Sequence, residues 1–186
     1  MLMHRQLAAC SLAGSKLQAL VNDLTKLRAA EPHMHAVVFT QSVASHASIC
    51  RRLCGIGITV YELSGKTTVK KRHNAIREFQ AARRRPTVFV ITMKAGNCGI
   101  TLTAATRVYL MEPCVDPALE VQAAGRIHRL GQEKQVMCKR LCSRGTYEEQ
   151  IVTLHGRLKS GHTVASSPTA RYRHRYSGCS TSSKQC

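Results

Sequence analysis

The chain has 186 residues, 44% of them apolar, which is enough for one hydrophobic core and too apolar for a wholly disordered chain. No stretch reaches about 18 uncharged apolar residues, and no long apolar core precedes Lys16, so neither a membrane span nor a secretory signal is read. Against 28 Lys and Arg stand only 10 Asp and Glu, and the net charge of +18 points to a polyanionic partner, nucleic acid first, with a merely solvated basic surface as the plainer reading.

In chain order, residues 15 to 30 predict a helix capped by Ser15, with Leu17, Leu20, Val21, Leu24 and Leu27 as one apolar stripe and Pro32 beyond its end. Ala36 to Thr40 (AVVFT) predicts a buried strand, and residues 43 to 54 a helix closed by Gly55. Ile58 to Leu63 predicts a second strand. Thr68 to Ala82 then predicts a helix with Val69, Ile76 and Phe79 turned inward. Thr87 to Ile91 (TVFVI) and Arg107 to Met111 (RVYLM) predict the third and fourth strands. A helix over 117 to 130 follows, capped by Asp116 with Pro117 at its first position. Residues 135 to 142 predict a fifth strand, and a Thr146-x-x-Glu149 capping box opens a helix running to Lys159. Alternating short apolar strands and amphipathic helices define an α/β chain with a mostly parallel sheet and helices on both faces. The loops after the strand C-termini then share one edge, where open α/β sheets bind ligands.

Residues 14 to 160 therefore read as the folded unit, behind an N-terminal extension over 1 to 13. Residues 161 to 186 are Ser- and Thr-rich, with four basic residues and no acid, and read as a disordered basic tail. The nine cysteines are odd in number and form no C-x-x-C pair, which fits reduced thiols in cytosol or nucleus. No metal site is expected, because Cys50 with Cys54, and Cys138 with Cys142, fit no common ligand knuckle.

Three segments carry candidate chemistry. In QAAGRIHRLGQ, residues 122 to 132, helical spacing puts Gln122, Arg126 and Arg129 on one face beside an apolar face of Leu119, Ala123, Ile127 and Leu130. Two guanidiniums on a packed helix suit a phosphoryl group gaining charge, and two surface arginines in ion pairs are the alternative. In residues 88 to 105 a buried strand runs into a loop with Thr92, Lys94, Gly96 and Gly99, which suits a phosphate or is a plain strand-to-helix turn. Residues 63 to 85 hold eight basic residues (Lys66, Lys70, Lys71, Arg72, Arg77, Arg83, Arg84, Arg85) and one acid, Glu78. Positive charge at the start of that helix opposes its dipole, which favours a polyanion contact over a solvated face.

In this order the segments resemble the C-terminal RecA-like lobe of superfamily-two helicases, and in detail the Swi/Snf-related ATPases that move along double-stranded DNA. AVVFTQS (36 to 42), LSGKTTVKKRHNAIREF (63 to 79), ITMKAGNCGITLTAATRVYLMEP (91 to 113) and QAAGRIHRLGQ match successive motifs of that lobe. The HRLGQ ending is similar to this family's, whereas DEAD-box RNA helicases usually end HR-x-G-R; an RNA helicase lobe is the weaker alternative. LTAATRVYLMEP and the Thr-x-Glu-Glu helix resemble the DNA-repair branch that often carries a RING finger. Three positions depart from the pattern: Asn97 for a glycine, Ile100-Thr101 for Leu-Asn, and Val115-Asp116 for Trp-Asn.

The resemblance implies roles. Arg126 and Arg129 would reach the γ-phosphate of ATP, with Gln122 aligning the nucleotide. Gly96, Gly99 and Thr101 would lie near the nucleotide. Ser42, Lys66, Thr67, Thr92 and Lys94 would touch the phosphates of one strand of double-stranded DNA, joined by the basic run Lys70, Lys71 and Arg72. ATP with Mg²⁺ would be held mainly by a first RecA-like lobe that supplies a Walker A loop and an Asp-Glu pair, neither of which this chain contains. The chain alone is therefore expected to be inactive, and a non-catalytic basic DNA-binding module that keeps only the fold is the alternative. A nuclear location, and chromatin or ubiquitin machinery as partners, complete what the resemblance implies.

Overall fold

A computed structural model describes residues 2–3, 14–82, 84–96, 99–127, 132 and 134–159. The expected tail at 161 to 186, and Arg83, Asn97, Arg129 and Leu130, lie outside these residues. The elements run β1 (Leu2–Met3), α1 (Gly14–Ala30), β2 (His35–Thr40), α2 (Val43–Gly55), β3 (Thr59–Leu63), α3 (Val69–Ala81), β4 (Thr87–Thr92), α4 (Met93–Gly96), β5 (Arg107–Leu110), α5 (Pro117–Ala124), β6 (Met137–Arg140) and α6 (Tyr147–Lys159).

The strands form one sheet in the order β1-β6-β5-β2-β4-β3, and every pairing is parallel. The chain passes from β2 outward to β3, returns to β4 beside β2, and then crosses to β5 on the other side. Loops from both halves therefore meet around the C-terminal end of β2. Strand alternation feeds two cores. Val37, Phe39, Phe89, Ile91, Val108 and Leu110 face one side, packed by Phe79 of α3, Ala123 of α5, and Ala95, Ile100, Leu102 and Ala105. Ala36, Val38, Val88, Val90 and Tyr109 face the other, packed by Leu20 and Leu24 of α1 and Ile49 and Leu53 of α2. Burial on both faces explains why these strands are continuous apolar runs rather than alternating ones.

Several local expectations are corrected. Helix α1 begins at Gly14, so Ser15 lies inside it rather than capping it. Val69, expected inward, is 70% exposed, because it opens α3 before the helix reaches the sheet. The capping box at α6 is displaced: Glu148 N donates to Thr146 Oγ1 at 3.3 Å, and Glu149 Oε2 accepts from Gly145 N at 3.0 Å. The largest difference is α5, expected to run to 130. It stops at Ala124, where Gly125 caps it. Arg126 N and Ile127 N then donate to the carbonyls of Ala123 and Ala124 at 3.2 and 3.0 Å, the three-residue spacing of a tightened last turn. Gln122 and Arg126 consequently do not continue one helical face.

Candidate functional site

The C-terminal strand ends carry most of the candidate residues. Thr40 closes β2, and Thr92 beside it closes β4 and is buried. Glu112, just after β5, ties the loop after β2 in place: its carboxylate accepts from Thr40 Oγ1 at 3.0 Å and from Gln41 N at 2.9 Å. Gln41 Nε2 also donates to the carbonyl of Pro113 at 3.2 Å. Ser42 follows as the N-cap of α2, its Oγ accepting from Ser45 N at 3.2 Å. The Ser42 hydroxyl keeps its proton for a further acceptor, so the cap and a phosphate contact are compatible.

After β3 the chain turns at 64–67, where Thr67 N donates to the carbonyl of Ser64 and Ser64 N donates to Thr67 Oγ1, both at 3.0 Å. This closed turn holds Lys66 out in solvent. Thr68 caps α3, and Lys70 and Lys71 stand exposed in its first turn, which contains no acidic residue. Arg72 is half-buried. After β4 the expected loop contains the short helix α4, from which Lys94 projects into solvent.

Gly96 and the chain over 101–105 are held by contacts from several sides. Gly96 lies against Phe39, and a Cβ there would sit 3.1 Å from Phe39 Cε1. Close packing on the ring thus accounts for Gly96, whereas Gly99 has φ +46°, backbone that favours glycine. Gln80 of α3 donates from Nε2 to the Thr101 carbonyl at 3.1 Å and to Thr103 Oγ1 at 3.3 Å, and its Oε1 accepts from Ala104 N at 2.8 Å. Gln132 donates from Nε2 to the carbonyls of Thr103 and Ala105, both at 2.8 Å. Leu102 N donates to the Arg126 carbonyl at 2.9 Å. The structure therefore brings Thr101 and Arg126 onto adjoining segments. Arg126 is 9% exposed, so its position is set by packing, while Gln122 is exposed on α5.

Neither the glutamine clamps nor the support beneath α5 was expected from the sequence. Glu120 of α5 is buried against Arg140 of β6, and its other oxygen accepts from Cys114 N at 2.9 Å. Burial, with the Glu120 charge nearby, pushes the Cys114 thiol up to about 11. On the opposite face of the sheet, Tyr109 OH donates to Asp23 of α1 at 2.6 Å, and Lys139 Nζ donates to both Asp23 oxygens at 2.7 and 2.8 Å. Burial, and then the Asp23 bond, push the Tyr109 phenol above its ordinary range.

A parallel sheet with helices on both faces, loops converging on one edge and a clamped strand-to-helix segment beside a buried arginine define a RecA-like lobe. Residues 15–131 match the family described as the helicase conserved C-terminal domain. The chain belongs to that family, as a superfamily-two C-terminal lobe of the Swi/Snf-related kind. It is 38% identical over 154 residues to a putative SWI/SNF-related matrix-associated actin-dependent regulator of chromatin, subfamily A member 3-like 1, from Arabidopsis thaliana, covering 82% of this chain and 18% of that protein. It is 35% identical to the DNA repair protein RAD5 of Cryptococcus neoformans (77% of this chain, 12% of that one) and 34% identical to human helicase-like transcription factor (79% and 15%). Among solved structures, the C-terminal part of the Fun30 ATPase domain superposes with a TM-score of 0.70 at 27% identity, over 75% of this chain and 45% of that one. The chain thus spans between 12% and 18% of the length of these curated relatives.

Proposed function

We propose that this chain acts as the second lobe of an ATP-driven DNA translocase, presenting Arg126 to a nucleotide on a first lobe and holding duplex DNA along the C-terminal edge of its sheet. The observation that carries this reading is the hydrogen bond from Leu102 N to the Arg126 carbonyl, which joins the glycine-containing segment to the arginine turn. A cation already packed in place loses little on meeting a phosphoryl group that gains charge. Gly99, Thr101 and Arg126 offer backbone donors and a cation but no carboxylate, so they fit one side of a triphosphate, and magnesium would belong to the other lobe. ATP, when bound there, supplies the phosphoryl transfer that drives movement. Arg129 would act with Arg126, and Gln122 would align the nucleotide from α5. Ser42, Lys66, Thr67, Lys70, Lys71, Arg72, Thr92 and Lys94 would hold the DNA backbone, their hydroxyls and cations lying at the end of β4 or after β2, β3 and β4. The relatives named for chromatin regulation and DNA repair support a nuclear location and chromatin partners.

Supplied with a matching first lobe, the wild-type chain is expected to give DNA-stimulated ATP hydrolysis, and Arg126→Ala to cut it by about 10³. Unchanged turnover would remove Arg126 from that role, and turnover by the isolated chain would remove the need for a first lobe. The departures at Asn97 and at Val115-Asp116 favour the second reading, a basic DNA-binding module without a motor. That reading predicts duplex binding with no ATP turnover even when a first lobe is present.

A further inference from the structure

We propose that His46, Cys50 and Glu62 form a zinc(II) site that ties α2 to β3. His46 and Cys50 stand four residues apart, and thus on one face of α2, while Glu62 comes from the strand the helix covers. One ligand atom from each residue lies within 4.8 Å of the other two, and Cys50 Sγ is 4.0 Å from His46 Nδ1. The second contact of the imidazole decides its tautomer. His46 Nε2 lies 3.2 Å from the carbonyl of Val90, which can only accept, so Nε2 carries the proton and Nδ1 keeps its lone pair toward the thiol. A backbone carbonyl orienting the far nitrogen is the usual support of a metal-bound histidine.

A nitrogen, a sulfur and a carboxylate oxygen suit zinc, whereas calcium and magnesium take oxygen ligands. Zinc bonds of about 2.0–2.3 Å in a tetrahedron place nitrogen and sulfur roughly 3.6 Å apart, so a movement of about 0.4 Å closes that pair. Burial is graded across the cluster: His46 is buried, Cys50 half-buried and Glu62 exposed. The metal would enter past Glu62, with water as the fourth ligand. Glu62 lies two residues before the turn at 64–67, so the bound ion would stiffen α2 against β3 beside that turn. This inference is independent of the proposed motor function.

The test uses the full chain, reduced and stripped with a chelator, and titrated with zinc against a chromophoric competitor. Nine cysteines and nine histidines allow other zinc binding, so the readout is the difference between wild type and variants. Wild type is expected to bind one equivalent that Cys50→Ser loses and that Glu62→Gln weakens tenfold or more. Cobalt in place of zinc should give a near-ultraviolet thiolate charge-transfer band that is absent from Cys50→Ser. Glu62 is exposed, so its variant retains the fold even if His46→Ala does not. At a hundredfold excess over Kd, zinc should raise the melting temperature of wild type by roughly 5–10 °C, and that of Cys50→Ser by none. Equal stoichiometry, affinity and cobalt spectra in wild type, Cys50→Ser and Glu62→Gln would overturn the proposal, leaving a plain thiol–carboxylate contact.

Discussion

Replacing Glu120 by alanine tests how the arginine-bearing turn is supported. The Glu120 and Arg140 side chains are 6% and 4% exposed, so both charges are almost wholly removed from water. Among the described residues, Arg140 Nε and Nη1 have no hydrogen-bond partner, and Nη2 donates to Glu120, whose charge offsets that of the guanidinium. Glu120→Ala therefore strands a buried cation, which costs about 3–5 kcal/mol, and it also removes the acceptor of Cys114 N–H, worth about 1 kcal/mol. A domain of this size melts about 2–4 °C lower per kcal/mol lost, so the expected fall is roughly 8–24 °C. Thermal and urea unfolding followed by circular dichroism measure it. The double variant Glu120→Leu with Arg140→Met removes both charges and should recover most of the loss. A single variant within about 1 kcal/mol of wild type, or a double variant no better than the single, would refute the reasoning.

Gly96→Ala should lower stability by about 1–3 kcal/mol, despite alanine's better helix propensity, because the new methyl meets Phe39, which is only 1% exposed; an unchanged urea midpoint would mean that the ring can give way. The raised Cys114 thiol makes stability fall as pH climbs between about 9 and 11, since the unfolded thiol ionises first while the folded one keeps its proton. Cys114→Ala should make that part of the pH profile less steep, leaving the decline that the Cys50 thiol, pushed up to about 12 mainly by burial, and the raised Cys142, Tyr61 and Tyr109 groups add in the same direction. Lys70→Gln with Lys71→Gln should leave the fold as stable or slightly more so, by about 0.3–1 kcal/mol per charge, yet weaken duplex DNA binding and lower its salt slope by about 0.9 for each phosphate no longer neutralised. Binding and slope equal to wild type would remove both lysines from the DNA interface.

The legible parts of the fold were those that a few neighbouring residues determine. AVVFT and TVFVI are continuous apolar runs because both faces of β2 and β4 are covered, and Asp116 with Pro117 marks the start of α5 through local geometry alone. The end of α5 was not legible, because helical periodicity continues through Arg126 while Leu102 N–H, distant in sequence, takes up the Arg126 carbonyl. Gln80 and Gln132 likewise read as ordinary polar residues until the fold lays the chain over 101–105 between them. Gly96 was legible as a required glycine but for another reason, since the Phe39 ring that excludes a side chain there comes from another strand. The four-residue spacing of His46 and Cys50 is visible in the sequence, but their meeting with Glu62 depends on strand order, because β3 lies beyond β4 from β2.

The placement of charge carries more information than its total. Four cations that brace the fold are paired with acids: Arg140 with Glu120, Lys139 with Asp23, Arg107 with Glu31, and Lys16 with Glu148. These pairs brace helices α1, α5 and α6, and the loop after α1, against the sheet and its strand ends, and each brings its own acid. Lys66, Lys70, Lys71 and Lys94 follow a different rule. All four are exposed, and they stand on the turn after β3, the first turn of α3 and the short α4 after β4. At the start of α3 the two lysines oppose the helix dipole with no acid in that turn to offset them, so local stability gives no reason for them. Folding therefore accounts for the paired cations and not for this set. The DNA contact proposed for this edge would account for both their exposure and their shared position, because one backbone laid across the ends of β3 and β4 would meet them together.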